Sequence, residues 1–146
     1  MATAEPEREA ERVADVTATI GTDRYHVDLQ AGRHGLAADE PADGGGADTG
    51  PSPFGLVLSG LGACTAITLR MYADRKQWPL EGVDVQLAYS VKDRASRWID
   101  RQISLHGPLG DDQRARLAEI AEKTPVTRAV RAGTEIRTTV ERVQAV

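Results

Sequence analysis

A single cysteine, Cys64, leaves this chain without an intramolecular disulfide or a cysteine-rich metal site, and a lone thiol fits a reducing compartment. Aromatic residues are almost as scarce, at 4% of the chain, so a core must be built from Leu, Val, Ile and Ala. No basic stripe with interleaved aromatics occurs; the formal charge is −4 with the basic residues scattered, which argues against a nucleic-acid partner. The opening stretch MATAEPEREAERVAD is acidic and has no apolar segment of the signal-peptide kind. The longest apolar-leaning run, 54–73, is interrupted by Ser59, Thr65, Thr68 and Arg70, which argues against a membrane span. The expectation is a soluble cytoplasmic protein with no metal and no cofactor.

At 146 residues the chain can form one domain with a sizeable core. The apolar share of 40% is modest, and a core shared between two copies would be easier to build. Residues 1–14 read as a charged arm. VTATIG alternates Val16, Ala18 and Ile20 with threonines, and RYHVDLQAG alternates Tyr25, Val27 and Leu29 with polar residues, the period of half-buried strands. RHGLAADE suggests a third short strand. PADGGGADTGPSP (41–53) has neither the lysine of a phosphate loop nor the aspartate spacing of a calcium loop, and reads as a plain connector. A long helix is expected over 54–76, closed by Arg75 and Lys76 and barred from continuing by Pro79. VDVQLAYSV (83–91) is the clearest strand. WIDRQISLHG (98–107) repeats its pattern, except that Arg101 falls on the apolar face with Ile99, Ile103 and Leu105. GDDQRARLAEIAEK (110–123) reads as a helix and EIRTTVERV (135–143) as a last strand. The class is α+β: three strands, helix, two strands, helix, strand.

The stretch GPSPFGLVLSGLGACTAITLRMYADRK raises the chemical question. Gly55, Gly60 and Gly62 each weaken a helix interior by about 1 kcal/mol relative to alanine, so close approach by another element must offset them. Cys64 shares a helical face with Gly60, Leu61, Ile67, Thr68 and Met71. A thiol among such neighbours is ordinarily an inert small core residue, and reactivity requires a cation or a helix N-terminus nearby. One helix start is legible in KTPVTRAVRAG: Thr124 suits the N-cap, Pro125 the first helical position and Gly133 the stop.

DEPADGGGADTGPSP, LGACTAITLRMYADRKQWPLEGVDV and LAEIAEKTPVTRAV together resemble the OsmC/Ohr family, in its short OsmC-like branch, from about residue 15 to the C-terminus. The resemblance implies one OsmC-like domain over 15–146 in an intertwined homodimer. Two long central helices would pack together there, with the glycines letting them meet and the subunits exchanging strands. It further implies a peroxiredoxin-like thiol peroxidase acting on organic hydroperoxides, with Cys64 as the peroxidatic thiol. The family's resolving cysteine falls on Thr124 and is absent. Its orienting glutamate falls on Phe54 or Gly55 and is absent too. Its thiolate-stabilising arginine corresponds to Arg24, with Arg33 the other candidate.

Two functions follow. One is reduction of organic hydroperoxides at Cys64 by a one-cysteine mechanism, with an external low-molecular-weight thiol or dihydrolipoyl group as reductant. The alternative is a catalytically degenerate protein that binds a small apolar ligand at the dimer interface, in a pocket lined by Phe54, Leu61 and Met71. A Cys–His hydrolase using His26, His34 or His106 lacks any nucleophile motif and is set aside.

Overall fold

Two antiparallel sheets and three α-helices form in a computed structural model that describes residues 9–143. The chain divides into two compact units at residues 56 and 57, within the first long helix.

The N-terminal unit carries β1 (Val16–Ile20), β2 (Val27–Ala31) and β3 (His34–Ala38) as a meander in the order β1-β2-β3. Its register runs from Val16 opposite Ala31 to Ile20 opposite Val27, and from Val27 opposite Ala38 to Ala31 opposite His34. β2 starts three residues later than its alternation suggests. The reason is Arg24, which takes a left-handed φ of 45° in a turn closed by hydrogen bonds from Arg24 N to Thr22 O and from His26 N to Asp23 O.

Beyond β3, the segment read as a plain connector is tied down by a carboxylate. Asp39, only 3% exposed, accepts from the amides of Glu40 (2.7 Å), Ala47 (3.3 Å) and Thr49 (3.2 Å) and from the Thr49 hydroxyl (2.6 Å). Two glycines in this loop are steric requirements: a Cβ on Gly46 would stand 2.0 Å from the Glu40 carbonyl oxygen, and one on Gly50 2.6 Å from that of Ala37.

The C-terminal unit is built on α1 (Pro53–Lys76), which begins in the first unit and continues into the second. Leu61, Thr65, Leu69 and Ala73 recur at helical spacing and are its buried face. The helix stops where the sequence predicts: Gln77 has φ 56° and Pro79 follows. β4 (Gly82–Val91) and β5 (Arg97–His106) pair along their whole length, Gly82 opposite His106 through Val91 opposite Arg97. Their half-buried residues alternate as expected, and Arg101 sits on the same half-buried face as Ile99, Ile103 and Leu105. α2 (Asp111–Ala121) and α3 (Pro125–Ala132) complete the unit. Leu69, Ala73, Leu80, Leu109, Leu117 and Ala121 form its core, and Tyr72 and Trp78, edge to face with each other, pack against it.

Gly62 is explained within this unit, because a Cβ there would lie 2.9 Å from Leu87 Cδ1. It admits the sheet rather than another helix. A Cβ on Gly60 would meet no atom of another element within 4 Å. The expected strand over 135–143 is not formed: no ladder pairs it among the described residues, and Ile136, Val140 and Val143 are 86%, 91% and 88% exposed. Alternation makes a strand only where an edge is available to receive it. Residues 9–15 carry no regular element, and the rest of the expected arm lies outside the described residues.

Hydrogen bonds, the Thr49 hydroxyl first and then backbone amides, hold the Asp39 carboxyl below its ordinary range. A carboxyl more acidic in the folded than in the unfolded chain adds stability above its unfolded pKa and loses it as pH falls through the folded value. Asp39→Asn should therefore lower the thermal midpoint at neutral pH. The gap from wild type should narrow once the pH drops below about 4. Melting curves at several pH values check both.

Candidate functional site

Cys64 lies at mid-length on α1 and is half-buried. Its side-chain partner is Thr68, one turn on, with Sγ and Oγ1 4.0 Å apart. The next residue, Thr65, is fully buried and donates to the Leu61 carbonyl at 2.7 Å.

Within its unit, Arg101 meets this turn of α1. Its guanidinium donates from Nη1 to Thr65 Oγ1 (3.0 Å) and Thr127 Oγ1 (2.8 Å), and from Nη2 to the Ala121 carbonyl (3.1 Å) and Glu122 Oε1 (3.4 Å). The side chain is only 11% exposed. One planar fork thus joins α1, the end of α2 and the start of α3. Sequence reasoning passed over Arg101 as a candidate, although the signal was visible: it is the charge that interrupts the apolar face of β5.

Thr124 fulfils its N-cap role. Fully buried, it accepts from Thr127 N at 3.3 Å, and its hydroxyl lies 2.7 Å from that of Thr127. Pro125 begins α3, and Gly133 ends it with φ 77°. Thr65, Arg101, Thr127 and Thr124 therefore form one continuous hydrogen-bonded chain. Among the described residues no buried side-chain nitrogen or oxygen lacks a partner.

Glu122 balances part of the charge. Arg131 pairs with its carboxylate and is the main reason that its pKa is lowered, against a desolvation that would raise it; Arg101 adds to the lowering. A cavity of about 640 Å³ opens beside this network, with Leu61, Tyr89, Ile99, Arg101 and Thr127 in its wall.

Arg24 donates to the Gly45 carbonyl at 2.9 Å in the N-terminal unit. Of the expected pocket residues, Leu61 is 4% exposed and lines the cavity, whereas Phe54 and Met71 are 50% and 60% exposed and do not line it. Each histidine that has a side-chain partner bonds elsewhere than Cys64: His26 with Thr49 and Asp28, His106 with Asp84. Among the described residues no cluster of His, Cys, Asp and Glu is arranged to hold a metal ion.

The OsmC-like protein family model matches residues 45–139, more than half of the chain. The chain belongs to the OsmC/Ohr family. Solved structures agree on the fold. An OsmC-like protein from Mycoplasma pneumoniae superposes with a TM-score of 0.67 at 18% identity, covering 84% of this chain and 89% of that one. The organic hydroperoxide resistance protein OsmC from Legionella pneumophila gives 0.62 at 20% identity, covering 84% and 92%. The organic hydroperoxide resistance protein OhrB of Bacillus subtilis gives 0.58 at 22% identity, covering 82% and 91%. No curated protein matches the chain in sequence.

Arg101→Ala should lower the unfolding free energy by ~2–3 kcal/mol, since it removes charge-assisted bonds and strands hydroxyls in the interior. Arg101→Lys should restore little, because an ammonium cannot reproduce the fork. Thr124→Ala should cost about 1 kcal/mol through the lost cap. Urea denaturation of the three variants measures all of this.

Proposed function

We propose that this OsmC/Ohr-family chain reduces organic hydroperoxides at Cys64 by a one-cysteine mechanism, within a redox stress response. The observation that carries the reading is the placement of Cys64: a half-buried thiol at the centre of an apolar stripe, one turn from a hydroxyl that can donate to it. Family membership, and the same fold in organic hydroperoxide resistance proteins, support the substrate class.

In the first step the Cys64 thiolate attacks the peroxide O–O bond. An S–O bond forms, the O–O bond breaks, and the alkoxide leaves with a proton as the alcohol, giving Cys64 sulfenic acid. The position that the resemblance assigns to a resolving thiol is Thr124, so an external thiol completes the cycle. Its sulfur displaces the sulfenate oxygen as water to give a mixed disulfide, and a second thiol releases Cys64. Arg24 as the thiolate-stabilising cation is part of this proposal.

The same reading includes a cytoplasmic homodimer. Val57, Gly60, Cys64, Ile67 and Met71 follow one another at helical spacing; Val57, Ile67 and Met71 are 45%, 54% and 60% exposed in the single chain. By length and composition alone α1 could cross a membrane. Arg70, however, bonds the Leu80 carbonyl, and Thr65 and Arg101 bond each other, so its other face is committed to the sheet and helices of its own unit. A second copy of α1 against the exposed stripe, with Gly60 at the crossing, would bury these side chains around the thiol. A residual site that only binds a small apolar ligand at that interface is the competing reading.

Brief exposure of the reduced protein to cumene hydroperoxide with a sulfenic-acid trap should add one trap per chain by intact mass, and none in Cys64→Ser. A wild type left unmodified while a small free thiol reacts would end the peroxidase reading in favour of ligand binding. Separately, Ile67→Asp should convert a dimer to a monomer in sedimentation velocity. An unchanged sedimentation coefficient would remove the helix stripe as the dimer contact.

A further inference from the structure

The cavity beside Arg101 has a composition that the peroxide chemistry does not use. Its wall is apolar at Leu61, Ile99 and Val130, and Trp98, 46% exposed, adds an aromatic surface. Its charge is unbalanced. Arg97, Arg101 and Arg131 line it against the single carboxylate of Glu122.

The three arginines differ in how far they are committed. Arg101 uses its guanidinium on Thr65, Thr127, Ala121 and Glu122. Arg131 is taken by Glu122, through both its carboxylate and its carbonyl. The guanidinium of Arg97 makes no hydrogen bond or ion pair among the described residues, although it lines the cavity. A planar cation with five donors at an apolar pocket matches a carboxylate attached to a hydrocarbon body. Small-molecule sites have this character: mostly apolar walls with a few convergent polar groups that fix orientation.

The geometry points to a binding site for a small amphipathic organic carboxylate in this cavity, with Arg97 holding the carboxylate and Leu61, Ile99 and Val130 receiving the hydrocarbon. Cys64 is not in the cavity wall, so the site neither requires the thiol nor depends on the peroxidase reading. Arg97 stands opposite Val91 at the end of the β4–β5 ladder and is exposed, so its replacement leaves the core intact.

Calorimetric titration of the full chain with octanoate and with octan-1-ol tests the assignment. Octanoate should bind saturably, one per chain, at least about tenfold more tightly than the alcohol. Arg97→Ala should weaken octanoate by about tenfold while leaving the thermal midpoint unchanged, and Arg97→Lys should recover part of the loss. Cys64→Ser should bind as wild type does. Absence of saturable binding, equal affinity for acid and alcohol, or an Arg97→Ala variant that binds octanoate normally would each overturn the proposal. Loss of binding in Cys64→Ser would do so as well, by moving the ligand to the thiol.

Discussion

The C-terminal unit depends on one buried cation. The Arg101 guanidinium reaches from β5 to a hydroxyl on α1, a carbonyl at the end of α2 and a hydroxyl in the first turn of α3. A charge in that position is costly unless every donor is used and a counter-charge is near. Here two threonine oxygens accept from it and pass their own protons onward, Thr65 to Leu61 and Thr127 toward Thr124 or Ala121. Glu122, shared with Arg131 at the surface, supplies the counter-charge where solvent still reaches it. The α2–α3 corner and the turn of α1 beside Cys64 are therefore fixed by the same group.

That arrangement gives α1 two unlike faces. One is settled by packing within the chain: Leu69 and Ala73 in the core, Thr65 on Arg101, and Gly62 hollowed to admit Leu87. The other carries Val57, Ile67 and Met71 in the open, with Cys64 between them. A helix apolar on both sides is ordinarily a buried one. The chain buries only the first side by itself, and the open side is where a second copy is proposed to sit. The exposed Ile136 and Val140, on one face of the expected strand, have the same character: a strand pattern without a ladder.

Much of this was legible in the residues. Period-two alternation located β4 and β5 to within a residue, and the Thr-Pro pair followed by a distant glycine placed both ends of α3. The Gly-rich loop was legible as a loop but not as an ordered one. The sequence shows that Asp39 precedes it, not that the carboxylate turns back to collect the amides of Glu40, Ala47 and Thr49. The segment over 135–143 has the alternation of a strand, but pairing is a property of two segments, and its partner is not among the described residues of one chain. At the candidate site the Thr124 cap was legible from pattern, and Arg101 was missed. Charge on an apolar face reads as an irregularity until two threonines, a carbonyl and a carboxylate are seen around it.

The role of Thr124 shows why the site can persist with one cysteine. At an N-cap a hydroxyl is the better residue, since it accepts from the Thr127 amide and exchanges a hydrogen bond with the Thr127 hydroxyl. A thiol, the weaker donor and acceptor, would fill the same place less well. Threonine here therefore strengthens the helix start and leaves the Arg101 network closed, while removing any thiol that could resolve an oxidised Cys64 within the chain. Structure and chemistry are separable at this position: the scaffold around Cys64 is complete without a second sulfur. Any catalytic cycle at Cys64 must then draw its second thiol from outside the chain, which makes access to the sulfur, rather than the geometry of a disulfide within the chain, the constraint on its function.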